Sequence, residues 1–315
     1  MQRQLLAETP QPTAISKEDL TIVLPTLNEE KGINLLIDEL TSLGYHNILV
    51  VDGYSTDETA LIAREKGAKV ILQHGEGKTQ AIKTAIENTA TPYLLIMDGD
   101  HTYNPGDIER FLAHAGNYDY IIGSRINGRH NIPWLHRIGN RLITKTFNLL
   151  MGTGLSDICS GMYLIRTEAA RRLELKTNGF STEVEIAAQL APTSKTTQVP
   201  VNYGPRIGEA KLSTLKHGLE IMTSTVNLAR RYNPTLFYSL LASLTAIPAF
   251  PILGWVAAQY MLERIWHSGW AVLGIVLLLI ASQAVTVGAV SALLRRIEGR
   301  IARHEIEAHP PRENR

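Results

Sequence analysis

Short apolar runs alternate with amphipathic stretches over the first two thirds of the chain. The runs end in polar turns, and apolar residues in the stretches between them recur every three or four positions. Continuous apolar runs are typical of strands buried on both faces, and three- and four-residue steps are typical of helices. The pattern predicts helices at 28–43 and 78–88 and strands at 21–24, 47–51, 69–72, 93–97 and 118–123. Their βαβα order predicts an α/β fold with a largely parallel sheet.

Two long stretches closer to the C-terminus, 232–262 and 268–294, contain no Asp, Glu, Lys or Arg. Each exceeds the roughly 20 residues that a helix needs to cross the hydrocarbon core of a bilayer. A short turn joins them, so we predict a two-helix transmembrane hairpin; a pair of buried core helices is the disfavoured alternative. The excess of arginine on both flanks favours the cytoplasmic side for both termini. These arginines are Arg230, Arg231, Arg295, Arg296, Arg300 and Arg303.

The two patterns together divide the chain into five segments. We predict a mobile N-terminal tail, an α/β domain, an amphipathic juxtamembrane helix, two transmembrane helices and a basic and polar cytoplasmic tail. In order, the segments are 1–18, 19–210, 211–232, 233–294 and 295–315. The juxtamembrane helix repeats apolar residues every three or four positions, so it either lies in the membrane interface or packs on the α/β domain.

Composition and charge exclude several classes of protein. A net charge of +1 in 315 residues produces no strong overall field, so we expect no nucleic acid partner. The single cysteine, Cys159, excludes an intrachain disulfide and a cysteine metal cluster. The polar stretch 1–17 lacks the apolar core of a secretory signal, and we therefore expect none.

The predicted strand at 93–97 is followed directly by Asp98, Gly99 and Asp100. In parallel sheets that are covered on both faces, ligands collect at the carboxyl ends of the strands. Carboxylate oxygens suit Mg²⁺ or Mn²⁺, which substrate phosphates often share. Capping of the next helix by an aspartate explains this short motif equally well when the motif is taken alone.

Other strand ends also carry polar turns. The turns at 25–30 and 52–57 follow the first two predicted strands, and Lys78 begins a predicted helix after a glycine-rich turn. An acidic side chain at such a position can accept hydrogen bonds from a ribose hydroxyl or a base N–H, and a lysine at a helix start can reach a phosphate. Capping by Asn28, Thr56 and Asp57 explains each turn singly, but not why they meet a further turn with two carboxylates.

An ordered set of six motifs resembles the GT-A glycosyltransferases of family 2. The likeness is strongest to the branch with dolichol-phosphate mannose synthase and other polyprenyl-phosphate sugar transferases. It covers about 21–231, and the hairpin is similar to that of membrane-bound members. The resemblance implies a GT-A, Rossmann-like, nucleotide-sugar-binding domain before the hairpin. The motifs are residues 25–30, Asp52 with 55–57, 98–100, 123–125, 157–161 and 203–212.

The resemblance also implies roles for individual residues. Asp98 and Asp100 would bind the metal, Mg²⁺ or Mn²⁺, with Asp100 in a catalytic role. Arg125 and Arg137 would bind the acceptor phosphate, and Arg206 and Lys211 would close over the diphosphate; a solvated basic face is the alternative for neighbouring arginines. The residues expected to bind the nucleotide sugar are Pro25, Leu27, Glu29, Asp52, Lys78, Asp98, Gly99 and Glu183.

The chain departs from the family pattern at three places. Gly53 and Tyr54 stand where the family often has Asp-Gly after its first aspartate, and Ala210 stands where it usually has serine. Thr102 occupies the position at which mannose synthases often have a metal-binding glutamine, so water or His101 would complete the metal shell.

We therefore predict an inverting, metal-dependent hexosyltransferase. It would move one sugar from GDP-mannose or a UDP-hexose to dolichyl or polyprenyl phosphate, and so supply a lipid-linked sugar for glycan assembly. Its partners would be the nucleotide sugar, the lipid phosphate and the bilayer, with a homo-oligomer left open. The alternatives are a processive or protein-directed family 2 glycosyltransferase, or a non-catalytic membrane-anchored subunit that binds a sugar nucleotide.

Overall fold

The structure is a computed structural model that describes residues 15–177, 181–207 and 214–308, the backbone alone at 214–217 and 295–308. Its contacts divide the chain into two compact units. The first contains residues up to Leu149 together with Thr153–Thr225, and the second contains Leu150–Gly152 together with the chain from Val226 onwards. Gly208, Glu209, Ala210, Lys211 and Leu212, which belong to the last predicted motif, lie outside the described residues.

The first unit is built on a seven-stranded mixed sheet with the order β3-β2-β1-β4-β6-β5-β7. The strands from β1 to β4 run parallel, β6 runs antiparallel to both of its neighbours, and β7 is parallel to β5. The predicted α/β fold is therefore confirmed, and the reversal is confined to β6. The strands are β1 (Leu20–Thr26), β2 (Ile48–Asp52), β3 (Lys69–Leu72), β4 (Tyr93–Ile96), β5 (Tyr120–Asn127), β6 (Tyr163–Arg166) and β7 (Thr196–Asn202).

Helices follow most of the strands, and two of them correspond to the helices predicted at 28–43 and 78–88. In the first unit they are α1 (Glu30–Ser42), α2 (Thr59–Glu65), α3 (Lys78–Glu87), α4 (Ile108–Ala115), α5 (Trp134–Met151, whose last two residues belong to the second unit), α6 (Thr167–Ala170) and α7 (Thr182–Leu190). Helix α8 (Thr214–Tyr232) leads from the first unit into the second. Short 3₁₀ turns lie at Lys17–Asp19, Pro105–Asp107 and Arg129–Asn131.

The core of the first unit follows directly from the apolar runs. All residues of β2 and β4 are buried, as expected for strands covered on both faces. Helix α1 buries Ile33, Leu36 and Ile37 against the sheet, on the face that the three- and four-residue steps predict. Burying each such side chain stabilises the fold by about 1.5–3 kcal/mol. The result is a rigid sheet whose carboxyl edge can hold polar side chains in fixed positions.

The start of α1 lies two residues later than the sequence predicts. Asn28 has a φ of 52°, in the left-handed region that asparagine tolerates better than most residues. Its side-chain oxygen accepts a hydrogen bond from the Thr56 backbone N–H at 2.7 Å. Asn28 therefore belongs to the turn and ties it to the turn after β2, and the helix begins at Glu30.

The second unit is a pair of long apolar helices, α9 (Pro234–Glu263) and α10 (Ser268–Ala308). Both contain windows long and apolar enough to cross a membrane. Ile247 and Leu262 are 71% and 83% exposed, which no buried core helix would show. The backbone of α10 remains helical to Ala308, within the stretch 295–315 that is predicted as a polar tail. These two helices suggest membrane anchoring, as the sequence predicts.

Small residues form the contact between the two long helices. Ala242 of α9 clusters with Ala281 and Ala284 of α10, and Gly274 lies against the Leu253 side chain. Small side chains let helix backbones approach closely, which is the usual packing between helices in lipid. Aromatic rings gather around the turn between the helices, as an interfacial aromatic belt would. They belong to Trp255, Tyr260, Trp266, His267 and Trp270.

Candidate active site

The polar turns after β1 and β2 interlock at the carboxyl edge of the sheet. Thr26 and Asp52 are register partners at the ends of these strands. The Gly53 N–H donates to the Thr26 carbonyl at 2.8 Å, and the Asn28 N–H donates to the Ser55 hydroxyl at 2.9 Å. These bonds fix the position of each turn relative to the other, so their side chains form one surface.

Asp52 presents one carboxylate oxygen without a partner. The residue is buried, and its Oδ2 accepts a hydrogen bond from the Ser55 N–H at 3.0 Å. Its Oδ1 has no hydrogen-bond partner among the residues that the structure describes. An unpaired buried carboxylate oxygen costs free energy, so this atom is suited to accept a donor from a ligand.

Two other residues predicted to bind the nucleoside lie on β1 and on the turn after it. Pro25 is the register partner of Val51 on the neighbouring strand, and Leu27 is exposed on the turn that follows. Tyr54, the departure from the family pattern, has a φ of 67° and donates its hydroxyl to the Gln73 carbonyl at 2.9 Å. The phenol thus anchors the second turn to the end of β3.

Lys78 connects two acidic side chains at the start of α3. Its Nζ lies 2.6 Å from Asp98 Oδ1 and 2.5 Å from Glu183 Oε1 on α7. Burial by itself lowers the pKa of the ammonium, but the Asp98 and Glu183 carboxylates outweigh burial and hold that pKa well above its ordinary value. Lys78 is therefore a fixed cation at the carboxyl edge and cannot serve as a base.

Glycine is required beside Asp98. A Cβ atom at Gly161 would lie 2.0 Å from Asp98 Oδ2, and a Cβ at Gly99 would lie 2.7 Å from the Thr26 methyl group. Gly161 also donates its N–H to the buried hydroxyl of Tyr103 at 2.7 Å. The loop before β6 thus forms a wall against which the Asp98 carboxylate lies.

Asp100 is held by three donors, one of which is an arginine. Its Oδ1 accepts from the Thr102 N–H and hydroxyl at 3.1 and 2.6 Å, and its Oδ2 lies 2.9 Å from Arg206 Nη1. Arg206 also reaches Glu29 at 2.5 Å. Burial raises the pKa of Asp100, and the nearby Asp98 charge adds to this, while Thr102 and Arg206 oppose it.

These side chains fit a divalent metal that is shared with a substrate. Asp98 and Asp100 would provide oxygen ligands, and the Thr102 hydroxyl donates a hydrogen bond to Asp100 that fixes its carboxylate. His101 points its Nε2 at Glu39, 3.0 Å away. Over the described ranges, no group of three or more His, Cys, Asp or Glu side chains could hold a metal by itself. Phosphate oxygens and water would have to complete the shell, as is usual for Mg²⁺.

The two arginines predicted to bind an acceptor phosphate occupy different environments. Arg125 is buried, and its guanidinium makes a two-pronged ion pair with Asp157 at 2.7 and 2.8 Å. Burial by itself lowers the pKa of Arg125, but Asp157 outweighs burial and holds that pKa well above its ordinary value. Arg137 lies on α5 and is exposed. Its role and that of Arg125 remain predictions.

Sequence reasoning missed three residues that shape the site. Asp157 and Gly161 were part of a motif without an assigned role, and Tyr103 was not singled out. The available signal for Asp157 is its place in the sequence, since it is the first acidic residue after Asp119. The structure shows that Asp157 fixes Arg125, and that Tyr103 and Gly161 support Asp98.

Comparison with known proteins identifies the class. The profile of glycosyl transferase family 2 matches residues 21–174. Glycosyltransferase AglJ of Haloferax volcanii is 32% identical and aligns with 87% of this chain and 92% of its own length. A dolichyl-phosphate hexose transferase of the same organism is 33% identical over 69% of this chain and 96% of its own length. The chain belongs to glycosyl transferase family 2 and is a glycosyltransferase.

Solved structures agree with the fold. Glucosyl-3-phosphoglycerate synthase from Mycobacterium tuberculosis, in complex with Mn²⁺, uridine diphosphate and phosphoglyceric acid, matches with a TM-score of 0.56. The match covers 68% of this chain and 78% of that structure at 19% identity. At this identity the likeness concerns the fold, and it confirms the predicted GT-A architecture of the first unit.

Proposed function

We propose that the protein transfers one hexose, with inversion, from a nucleoside diphosphate to dolichyl or polyprenyl phosphate at the cytoplasmic face of a membrane. The observation that carries the proposal is the pairing of Asp98 and Asp100 with Lys78 and Arg206 at the carboxyl edge of the sheet. The two carboxylates suit a metal ion, and the two cations suit the diphosphate that the metal would share. The apolar helices α9 and α10 support a lipid acceptor, as does the likeness to a dolichyl-phosphate hexose transferase.

The nucleoside would bind on the turns after β1 and β2. Asp52 Oδ1 is the acceptor available for a base N–H or a ribose hydroxyl. Leu27 offers an exposed apolar side chain beside it, against which a base or ribose can pack. The donor base and sugar stay open between GDP-mannose and UDP-hexoses.

The diphosphate would lie between Lys78 and Arg206. Mg²⁺ or Mn²⁺, held by Asp98 and Asp100, would supply positive charge to the departing diphosphate. Lys78 keeps its proton because its pKa is raised, so it contributes a constant positive charge. Glu183, buried beside Lys78, is suited to orient the lysine or to contact a sugar hydroxyl.

The acceptor phosphate needs little activation. Its second pKa is about 6, so near neutral pH it already carries a nucleophilic oxygen. This oxygen forms a bond to the anomeric carbon while the bond from that carbon to the diphosphate breaks, and one displacement inverts the configuration. Arg137 would position the phosphate, and Arg125 would hold the loop around Asp157 beside it.

A transfer assay tests this proposal. Full-length protein in detergent would receive Mg²⁺ or Mn²⁺, dolichyl and polyprenyl phosphates, and in turn radiolabelled GDP-mannose, UDP-glucose and UDP-N-acetylglucosamine. We expect one labelled lipid product that disappears with EDTA and in Asp100→Asn protein. A folded protein that binds nucleotide yet labels no lipid with any donor would overturn the proposed acceptor. Nucleotide binding without sugar release would favour a non-catalytic subunit.

A further inference from the structure

Tyr54 lies in the turn after β2 in a backbone conformation that tyrosine rarely adopts. Its φ of 67° falls in the left-handed region, where a bulky side chain crowds its own backbone. The residue is nevertheless 51% exposed, so burial of the ring does not explain the conformation. Strained residues of this kind cluster at binding sites and active sites, where the surrounding structure imposes them.

The Tyr54 ring is fixed at both of its ends. The turn that carries it is tied at Gly53, whose N–H donates to the Thr26 carbonyl at 2.8 Å. The Tyr54 hydroxyl donates to the Gln73 carbonyl at 2.9 Å, directly after β3. The Gln73 N–H donates in turn to the Asp52 carbonyl at 3.0 Å. A ring that is already held in this way loses little conformational freedom when a ligand packs on it.

Asp52 lies between Tyr54 and Leu27. Its strand, β2, is flanked in the sheet by β1 and β3. Leu27 follows Thr26, the register partner of Asp52 on β1, and is 45% exposed. The Tyr54 hydroxyl reaches the end of β3 on the other side. An aliphatic and an aromatic side chain therefore flank the carboxylate, which suits a flat heterocycle whose polar edge meets Asp52.

The turn after β2 offers this heterocycle one carboxylate oxygen. Residues 53–56 contain no Asp or Glu, and a Cβ atom at Gly53 would lie 3.1 Å from the Thr26 carbonyl oxygen, so a larger side chain would displace its neighbours. Asp52 Oδ2 accepts from the Ser55 N–H, and Oδ1 has no partner within the described part of the chain. A single oxygen matches a ligand edge with a single N–H.

Uracil is the base whose edge has this pattern. Its N3–H lies between two carbonyl groups and is the only N–H of the base when N1 carries the ribose. Guanine presents an N–H and an amino group side by side, which suit both oxygens of one carboxylate. Adenine and cytosine present a ring nitrogen lone pair beside their amino group, and a carboxylate repels that lone pair.

We propose that Tyr54 is a further donor-binding residue, whose ring stacks on the base of the nucleotide sugar, and that this base is uracil. The inference rests on the proposed function and deepens it, because it names the base and adds a residue to the nucleoside site. Stacking of a base on an aromatic side chain contributes between about fivefold and about a hundredfold to affinity.

Equilibrium binding of nucleoside diphosphates tests the choice of base. Full-length protein in detergent with Mg²⁺ would be titrated with UDP, GDP, ADP and CDP in a calorimeter. We expect UDP to bind at least tenfold more tightly than each of the other three, because only its base matches the single oxygen of Asp52. Equal or tighter binding of any other nucleotide would overturn the assignment of uracil.

Tyr54→Gly separates stacking from folding. Glycine adopts a left-handed φ freely, so relief of strain offsets the lost hydrogen bond to Gln73, and the melting temperature should stay nearly unchanged. UDP affinity should fall at least tenfold, whereas Tyr54→Phe, which keeps the ring, should retain most of it. The control is Tyr118→Leu, since Tyr118 is a partly buried tyrosine just before the amino end of β5. Unchanged UDP affinity in folded Tyr54→Gly protein would overturn the stacking role.

Saturation-transfer NMR reads the contact directly. In protein deuterated except at tyrosine, irradiation of the ring protons should transfer magnetisation to H5 and H6 of bound UDP, and Tyr54→Leu should abolish most of this transfer. Transfer that persists in Tyr54→Leu would contradict the proposal. These measurements need neither sugar nor lipid, so their failure leaves the proposed transfer reaction standing. A folded protein that binds none of the four nucleotides would overturn both.

Discussion

The carboxyl edge of the sheet and helix α5 both concentrate charge, but in opposite ways. At the edge, Lys78 and Arg206 are each placed between two carboxylates that come from distant parts of the chain. On α5, Arg137 and Arg141 are exposed in a stretch without acidic residues. The edge is thus organised by the protein's own contacts, whereas the basic side chains of α5 face solvent.

The difference has an energetic basis. Buried charges are tolerated only when they are paired and hydrogen-bonded, so the edge must be assembled within the fold. Exposed arginines cost little without a partner, and they are accessible to an anionic ligand, although salt screens their charge. Arg125 belongs with the first group although it lies on β5, the strand that precedes α5, because Asp157 pairs with it in a buried site.

Loss of the Asp100 carboxylate should have the largest effect. Asp100→Asn should reduce transfer by about 10²–10³-fold, because charge stabilisation at the diphosphate is lost. The folded protein should keep its melting temperature, because burial and the nearby Asp98 charge both raise the pKa of Asp100 and so reduce what the fold loses with that charge. Thermal unfolding and initial rates would be measured side by side, with Asp38→Asn at a surface ion pair as control. An active Asp100→Asn enzyme would contradict the metal assignment.

Breaking the buried ion pair should affect stability rather than chemistry. Asp157→Asn leaves the Arg125 guanidinium buried without its counter-charge, which should cost about 3–5 kcal/mol of unfolding free energy. Denaturant unfolding in detergent would measure it. Arg137→Gln should change stability by less than about 0.5 kcal/mol, as is usual for surface sites. Equal stability of the two variants would remove the distinction drawn between Arg125 and Arg137.

A methyl group at Gly161 should displace Asp98. Gly161→Ala should weaken nucleotide binding at least tenfold in calorimetry, because its Cβ would occupy the position of the carboxylate. The control is Gly139→Ala on α5, where a Cβ meets nothing within 4 Å. That change should stabilise the helix by about 0.5–1 kcal/mol. Unchanged nucleotide binding in Gly161→Ala would show that Asp98 is not needed there.

Removing the Arg137 charge should weaken binding of the lipid phosphate acceptor and leave binding of the donor unchanged. Arg137→Gln should raise the apparent KM for lipid phosphate about tenfold, the effect of losing one charge-assisted hydrogen bond. The donor KM should stay the same, since the nucleotide edge is unaffected. Arg172→Gln, at an exposed surface arginine, is the matched control. A rise in the donor KM instead would indicate that Arg137 contacts the nucleotide sugar and not the acceptor.

Acidification should weaken metal binding modestly. Protons and metal compete for the Asp100 carboxylate, and its raised pKa means that the proton competes at higher pH than for an ordinary aspartate. Mn²⁺ affinity in the presence of a nucleoside diphosphate, followed by EPR, should fall severalfold between about pH 7 and about pH 5. The fall should be smaller in Asp100→Asn protein, where only Asp98 and the diphosphate itself still compete for protons. A constant affinity in the unmodified protein would argue against Asp100 as a ligand.

Much of the fold could be read from periodicity, and the errors are local. The strands at 69–72 and 93–97 and the apolar hairpin were predicted from runs of apolar residues, because such runs report burial directly. The start of α1 was placed early, because Asn28 reads as a helix cap and is in fact part of a turn. The strands β6 and β7 were not predicted. The reversal of β6 leaves no signal either, since a short buried strand reads the same in either direction.

The sequence by itself determined which residue types stand at the strand ends, and that two uncharged helices follow the α/β domain. Only the tertiary structure decided which charges pair. Glu29 and Arg206 are separated by 177 positions, and the loop before β6 places Gly161 against Asp98 because β6 lies between β4 and β5 in the sheet. Local patterns report burial and helical period, whereas ion pairs depend on distances that exist only once the sheet has formed.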